Sequence, residues 1–157
     1  SEEEWSHTLK LIDLLAEKAE LILIKGNHDT ILGPIAEKRN ITIKDSHTQK
    51  NILFLHGHQL PQKIPPQTDT IIIGHEHPAI KLNDGIRTEH YKCFLVGTWK
   101  NYNLVVLPSI NTLIQGTDIL TEKLLSPFLT KINNFNVYVV GADDTLNFGK
   151  VKNLVHQ

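Results

Sequence analysis

Apolar positions follow two rhythms along this chain. Over residues 1–20 they recur at helical spacing: Trp5, Leu9, Ile12, Leu15 and Ala19 form one stripe, which predicts an amphipathic helix. Ser1 followed by Glu2, Glu3 and Glu4 places acid at the positive end of that helix's dipole. The rhythm then changes to short, β-branched runs. Residues 21–25, 51–55 and 71–73 are too short for helices and read as buried strands. Further strands are predicted at 41–44, 79–82, 89–96, 101–107, 135–140, 145–148 and 151–155. The pairing from residue 79 onward is expected to be antiparallel. Turns punctuate the pattern at Gly33-Pro34, Asp45-Ser46-His47, Asn83-Asp84-Gly85, Gly97 to Lys100, Gly141 to Asp144 and Gly149-Lys150. Pro34 can open a short helix to about Arg39, and Ser126-Pro127 can open another. Pro61, Pro65 and Pro66 rule out a helix interior over 59–68 and predict an extended loop.

Three of the apolar runs end alike. Residues 21–25 lead into Gly26-Asn27-His28-Asp29, residues 52–55 into His56-Gly57-His58, and residues 70–73 into Gly74-His75-Glu76-His77. Each delivers histidine at or just past a strand's carboxyl end, where open α/β sheets place their ligand sites. Imidazole binds Zn, Mn, Fe and Ni, so His75 and His77 on one turn suggest a metal cradle. A turn-stabilising role fits His28, His56 or His58 taken singly, and Asn27 suits a left-handed backbone. His58 and Glu76 are expected to support the site rather than bind metal. His7, His47, His90 and His156 read as surface residues. Asp143 and Asp144 read as turn residues that satisfy backbone amides.

Composition narrows the class. A chain of 157 residues, 40% apolar and 21% charged, fits one domain with a real core, and no linker divides it. The net charge of −1 supplies no global field toward nucleic acid. A single cysteine, Cys93, cannot close an internal disulfide, which points to a reducing, cytoplasmic setting. No apolar run approaches the roughly 20 residues of a membrane span. Methionine is absent, including at position 1, and the first predicted strand lacks an earlier partner. Both features predict a missing amino-terminal part of the protein.

In order and at strand ends, Gly26-Asn27-His28-Asp29, His56-Gly57-His58 and Gly74-His75-Glu76-His77 resemble the last three motifs of the calcineurin-like metallophosphoesterases. Lys92 to Leu95, Leu107-Pro108-Ser109 and residues 137–151 look closest to the ICC-like predicted phosphoesterases. That branch includes archaeal proteins and bacterial ones associated with DNA ligase and DNA-end repair. The resemblance implies a four-layer α-β-β-α sandwich, here without its N-terminal β-α-β part, and two divalent metal ions, with Mn favoured and Fe, Zn or Ni possible. It also implies ligand roles. Asn27, His56 and His75 would bind one metal and His77 the other. His28 would act on the phosphate, with Asp29 orienting its ring. The implied activity is hydrolysis of phosphomonoesters or phosphodiesters, with a nucleotide or DNA as possible substrate. The first two family motifs, D-x-H and G-D, have no counterpart in residues 1–25, where Asp13 is the only aspartate. The His77 metal would therefore lack most of its ligands, and the chain as it stands is expected to turn over little substrate. A phosphoesterase-fold subunit that binds without catalysis is the alternative.

Overall fold

A computed structural model describes residues 2–29, 32–83 and 87–154. The chain packs as two compact units, Ser1–Asp45 and Ser46–Gln157.

The first unit holds α1 (Glu2–Ala16), β1 (Ile22–Ile24), α2 (Leu32–Lys38) and β2 (Thr42–Lys44). Of the stripe predicted on α1, Ile12 is buried, Leu9 half-buried and Leu15 exposed, and the Trp5 side chain lies outside what the structure describes. β1 and β2 pair in parallel, with Leu23 opposite Ile43, and α2 is the crossover between them. A parallel pair requires such a crossover, so this is a β-α-β unit. Pro34 is the third residue of α2, not the first. It still falls in the turn where a missing N–H costs no helical bond. Asp13 pairs with Arg39 through both guanidinium donors, the longer bond being 3.1 Å. The hydrogen bond and charge of Arg39 hold the Asp13 carboxyl below its usual range. Asp13 is thus committed to tying α1 to the residues after α2.

The second unit is a mixed sheet with few helices. Its strands are β3 (Ser46–Gln49), β4 (Ile52–Leu55), β5 (Thr70–Ile73), β6 (Pro78–Asn83), β7 (Thr88–Trp99), β8 (Tyr102–Val106), β9 (Thr117–Asp118), β10 (Asn136–Val140) and β11 (Thr145–Lys150). The order across the sheet is β11-β10-β7-β8-β5-β4-β3, with β6 joined to β7 and β9. β4, β5 and β8 are parallel neighbours. Their registers align Leu53, Ile71 and Leu104 in one row and Leu55, Ile73 and Val106 in the next. All six are buried. Alternate residues of a strand share a face, so two stacked rows of aliphatic side chains form the core. They pack with Ile80, Cys93, Leu95, Phe128 and Val137 among others.

Several boundaries differ from the sequence reading. Ser46 and His47 are not a hairpin turn; they belong to β3, and the turn falls at Lys50, whose φ is 56°. His47 is half-buried and stacks on Phe54 at 6.3 Å. The turn expected at Gly97 to Lys100 is mostly strand, because β7 continues to Trp99 and reverses only at Lys100, with φ 53°. β7 runs that far because two sets of partners hold it. Residues 88–92 pair with β6, and residues 93–99 pair with β10 and β8. Residues 151–154 form a helical turn, α3, rather than a strand. That turn buries Val151 and Leu154 in the core. Ser126-Pro127 opens no helix; it makes a single turn closed by the Leu129 amide on the Ser126 carbonyl at 3.0 Å. Pairing beyond residue 79 is mainly antiparallel, with parallel exceptions at β6–β9 and β5–β8. Asp84 and Gly85 lie outside the described residues. The loop over 59–68 contains no helix or strand. Among the described residues, no helix is long and apolar enough to cross a membrane.

Candidate functional site

Parallel β4 and β5 end side by side, Leu55 opposite Ile73, so the residues that follow emerge at the same level. The amides of Gly74 and His75 both donate to the His56 carbonyl, at 3.0 and 2.8 Å. This pins the two histidine turns together. The His75 Nδ1 and His56 Nε2 atoms then sit 3.0 Å apart and share a hydrogen bond. The His58 ring joins them, its centroid 5.3 Å from His56 and 6.1 Å from His75. Three imidazoles thus cluster on one edge of the sheet.

Gly57 makes the first turn possible. Its φ is +101°, which L side chains rarely adopt, and a Cβ there would lie 2.8 Å from Cβ of Ile73. Only glycine lets the turn rest directly on the core. His77 also takes a left-handed backbone, φ 51°, where the chain swings from β5 toward β6. Burial pushes the His77 pKa down and the Lys92 charge adds to this, against the opposing pull of Glu76.

Glu76 is buried, at 3% exposure, and its Oε2 accepts the amides of Leu125 and Ser126, both at 2.8 Å. The Ser126 hydroxyl donates to the Gly57 carbonyl at 2.7 Å. One short segment therefore holds both turns: Glu76 anchors it from below the second, and Ser126 grips the first. Two polar atoms in this region, His58 Nδ1 and Glu76 Oε1, are buried without a hydrogen-bond partner. Buried polar atoms are nearly always paired, so these two are exceptions within an otherwise bonded cluster.

The sequence-predicted residues divide between the units. His56 and His75 are brought together, and His58 with them, although His58 was expected only to support the site. His77 makes no ring contact with the three. Asn27, His28 and Asp29 lie in the first unit, at the end of β1, and all three are exposed. The Asp29 Oδ2 accepts the Gly26 amide at 2.7 Å, so this carboxyl closes its own turn. A cleft of about 320 Å³, lined by Lys25, Asp29, Leu32 and Glu37 among others, opens beside it. His90 is exposed, as expected. Ser126 was missed entirely, because a lone Ser-Pro far from the histidines carries no signal until the fold brings it there.

A metal site can be tested against this geometry. Two imidazole nitrogens around one tetrahedral ion with bonds of about 2.1 Å stand roughly 3.3 Å apart. The 3.0 Å between His56 and His75 is shorter and is a hydrogen bond, in which the proton of one ring already takes the lone pair of the other, so the rings as placed do not present a metal donor set. Among the described residues, no group of three or more His, Cys, Asp or Glu side chains is already placed to hold a metal, and a second ion has no such set. No protein-family model matches the chain, no curated protein matches it, and no solved structure matches it.

Proposed function

We propose that this chain is a metal-dependent phosphoesterase domain of the calcineurin-like type, hydrolysing phosphomonoesters or phosphodiesters. The observation that carries the reading is the meeting of His56, His58 and His75 at the carboxyl ends of two adjacent parallel strands. The same reading implies the four-layer sandwich, a nucleotide or DNA among the possible substrates, and a reducing compartment that suits the lone buried Cys93. In this scheme His56 and His75 would hold an Mn, Fe, Zn or Ni ion, with His77 toward a second ion. A bound divalent ion would supply Lewis-acid polarisation of the phosphate and a water acidic enough to attack at neutral pH. Glu76 and Ser126 keep the two histidine turns in register.

A second reading is a phosphoesterase-fold subunit that binds without turnover. The hydrogen bond between His56 and His75 favours it, since the two rings already satisfy each other. Equilibrium dialysis against Mn²⁺ or Zn²⁺, with His56→Ala and His75→Ala controls, tests both. The phosphoesterase reading expects metal binding weakened at least tenfold by either substitution. It expects little turnover by these 157 residues themselves, and aryl phosphate hydrolysis that His75→Ala abolishes in a protein that also carries D-x-H and G-D. Metal binding without hydrolysis in such a protein would favour the subunit. A wild-type chain that binds no divalent ion would remove both.

A further inference from the structure

A cavity of about 560 Å³ opens in the second unit, lined by residues from 119–124 and 129–134. None of the three clustered histidines lines it. Both lining segments are held by hydrogen bonds. In the first, the fully buried Asp118 closes a turn: its Oδ2 accepts the Thr121 hydroxyl at 2.6 Å and its Oδ1 the Leu120 amide at 3.2 Å. The Glu122 amide donates to the Asp118 carbonyl at 2.9 Å, and Glu122 Oε1 accepts the Asp118 amide at 3.0 Å. In the second, the Leu129 amide donates to the Ser126 carbonyl at 3.0 Å and the Phe135 amide to the Ile132 carbonyl at 2.8 Å. The Lys152 amide fastens the Asn133 carbonyl at 3.1 Å. The walls are thus set before anything enters, which lowers the ordering cost of binding.

The lining combines two kinds of chemistry. Ile119, Leu129 and Ile132 are buried core residues that reach the cavity. Its charged residues are Lys123, Lys131 and Glu122, all exposed. Among the described residues neither lysine is in an ion pair. The Glu122 carboxylate is already engaged with the Asp118 amide, and the Asp118 carboxylate with its own turn. Two free ammonium groups therefore stand against one carboxylate that is partly satisfied, and the cavity carries excess positive charge.

We infer that this cavity binds a small organic anion with an apolar body, its acid group beside Lys123 and Lys131 and its body against Ile119, Leu129 and Ile132. The inference uses no metal and no histidine, so it stands apart from the phosphoesterase reading. Cavities that hold small molecules run from roughly 300 to 1,000 Å³, which suits a molecule of one or two rings better than an inorganic ion. An inorganic ion would leave the aliphatic lining in water, whereas an apolar body removes it. An ammonium on the ligand would meet two like charges, which is unfavourable.

Two fluorescent probes that differ by one acid group test this on the full 157-residue chain: anilinonaphthalene sulfonate and phenylnaphthylamine. The sulfonate should bind roughly threefold or more tightly than the uncharged amine. Raising salt from about 0.05 to about 0.5 M should shrink that preference. In a Lys123→Gln/Lys131→Gln double variant it should vanish, while phenylnaphthylamine affinity stays within about twofold. Both lysines are exposed, so the thermal midpoint should be unchanged. Isoleucine methyl NMR gives the position, because the naphthalene ring current should shift Ile119 and Ile132. Equal affinity of the two probes for the wild type would overturn the inference. So would binding of neither, or a preference that survives both high salt and the double variant. Shifts confined to other isoleucines, such as the exposed Ile110, would place the probe on a different surface and overturn it too. The phosphoesterase reading would be untouched by any of these results.

Discussion

The contact between Gly57 and Ile73 allows a quantitative test of how the histidine cluster is held. In Gly57→Ala the new Cβ enters a backbone conformation at φ +101° and lies 2.8 Å from Ile73 Cβ. A non-glycine residue forced into such a region costs about 1–3 kcal/mol. Ile73 is 1% exposed, in register between Leu55 and Val106. It cannot retreat without disturbing that row, and overpacking of this kind adds about 1–3 kcal/mol. The loss of unfolded-state freedom on replacing glycine returns about 0.4–1 kcal/mol. The net expectation is a destabilisation of about 2–4 kcal/mol, a large fraction of the 5–15 kcal/mol typical of a domain, roughly speaking. Urea unfolding followed by Trp99 fluorescence, with Trp5→Phe in both backgrounds, should show the midpoint falling by about 1–2 M. Gly33→Ala is the control. Nothing lies within 4 Å of a Cβ at Gly33 in α2, so that change should stabilise by about 0.5–1 kcal/mol. A Gly57→Ala protein within about 0.5 kcal/mol of wild type would refute the claim that the turn rests on the core. Divalent-metal affinity should fall together with stability, because His56 and His58 flank the displaced residue.

Three further outcomes follow from the same structure. Glu76→Ala leaves the amides of Leu125 and Ser126 without an acceptor, so thermal unfolding should report a loss of about 2–5 kcal/mol. Glu76→Gln, which keeps an acceptor oxygen, should lose clearly less; equal losses would show that the two bonds are not what the side chain contributes. Burial, with a smaller contribution from Asp118, raises the Cys93 thiol to about 12. A disulfide reagent at mildly alkaline pH should therefore leave the native protein unmodified and react once denaturant is added. His77 is held below the usual 6.5, so folding favours its neutral ring. The stability it contributes is complete above 6.5, declines as pH falls through that value, and levels off below the folded-state pKa. Imidazole C–H NMR should place its midpoint below 6.5, and a higher midpoint would contradict the burial assigned to it.

Local pattern determined much of this protein. The apolar run at 52–55 and the β-branched run at 70–73 read as strands because both are short and bounded by turn formers. Their glycine- and histidine-bearing ends were visible as candidate chemistry for the same reason. Tertiary structure decided what those ends do together. Parallel register set His56 against His75, and the turn geometry at Gly57 brought His58 into the cluster while leaving His77 outside it. None of that is encoded in spacing along the chain. β7 outran its predicted end because β6, β8 and β10 pair along its length, and residues 151–154 coiled because a helical turn puts Val151 and Leu154, three apart, on one buried face where a strand would split them. The tie from Ser126 to Gly57 spans 69 residues. Contacts of that separation depend on the whole sheet being assembled, and a sequence window cannot contain them.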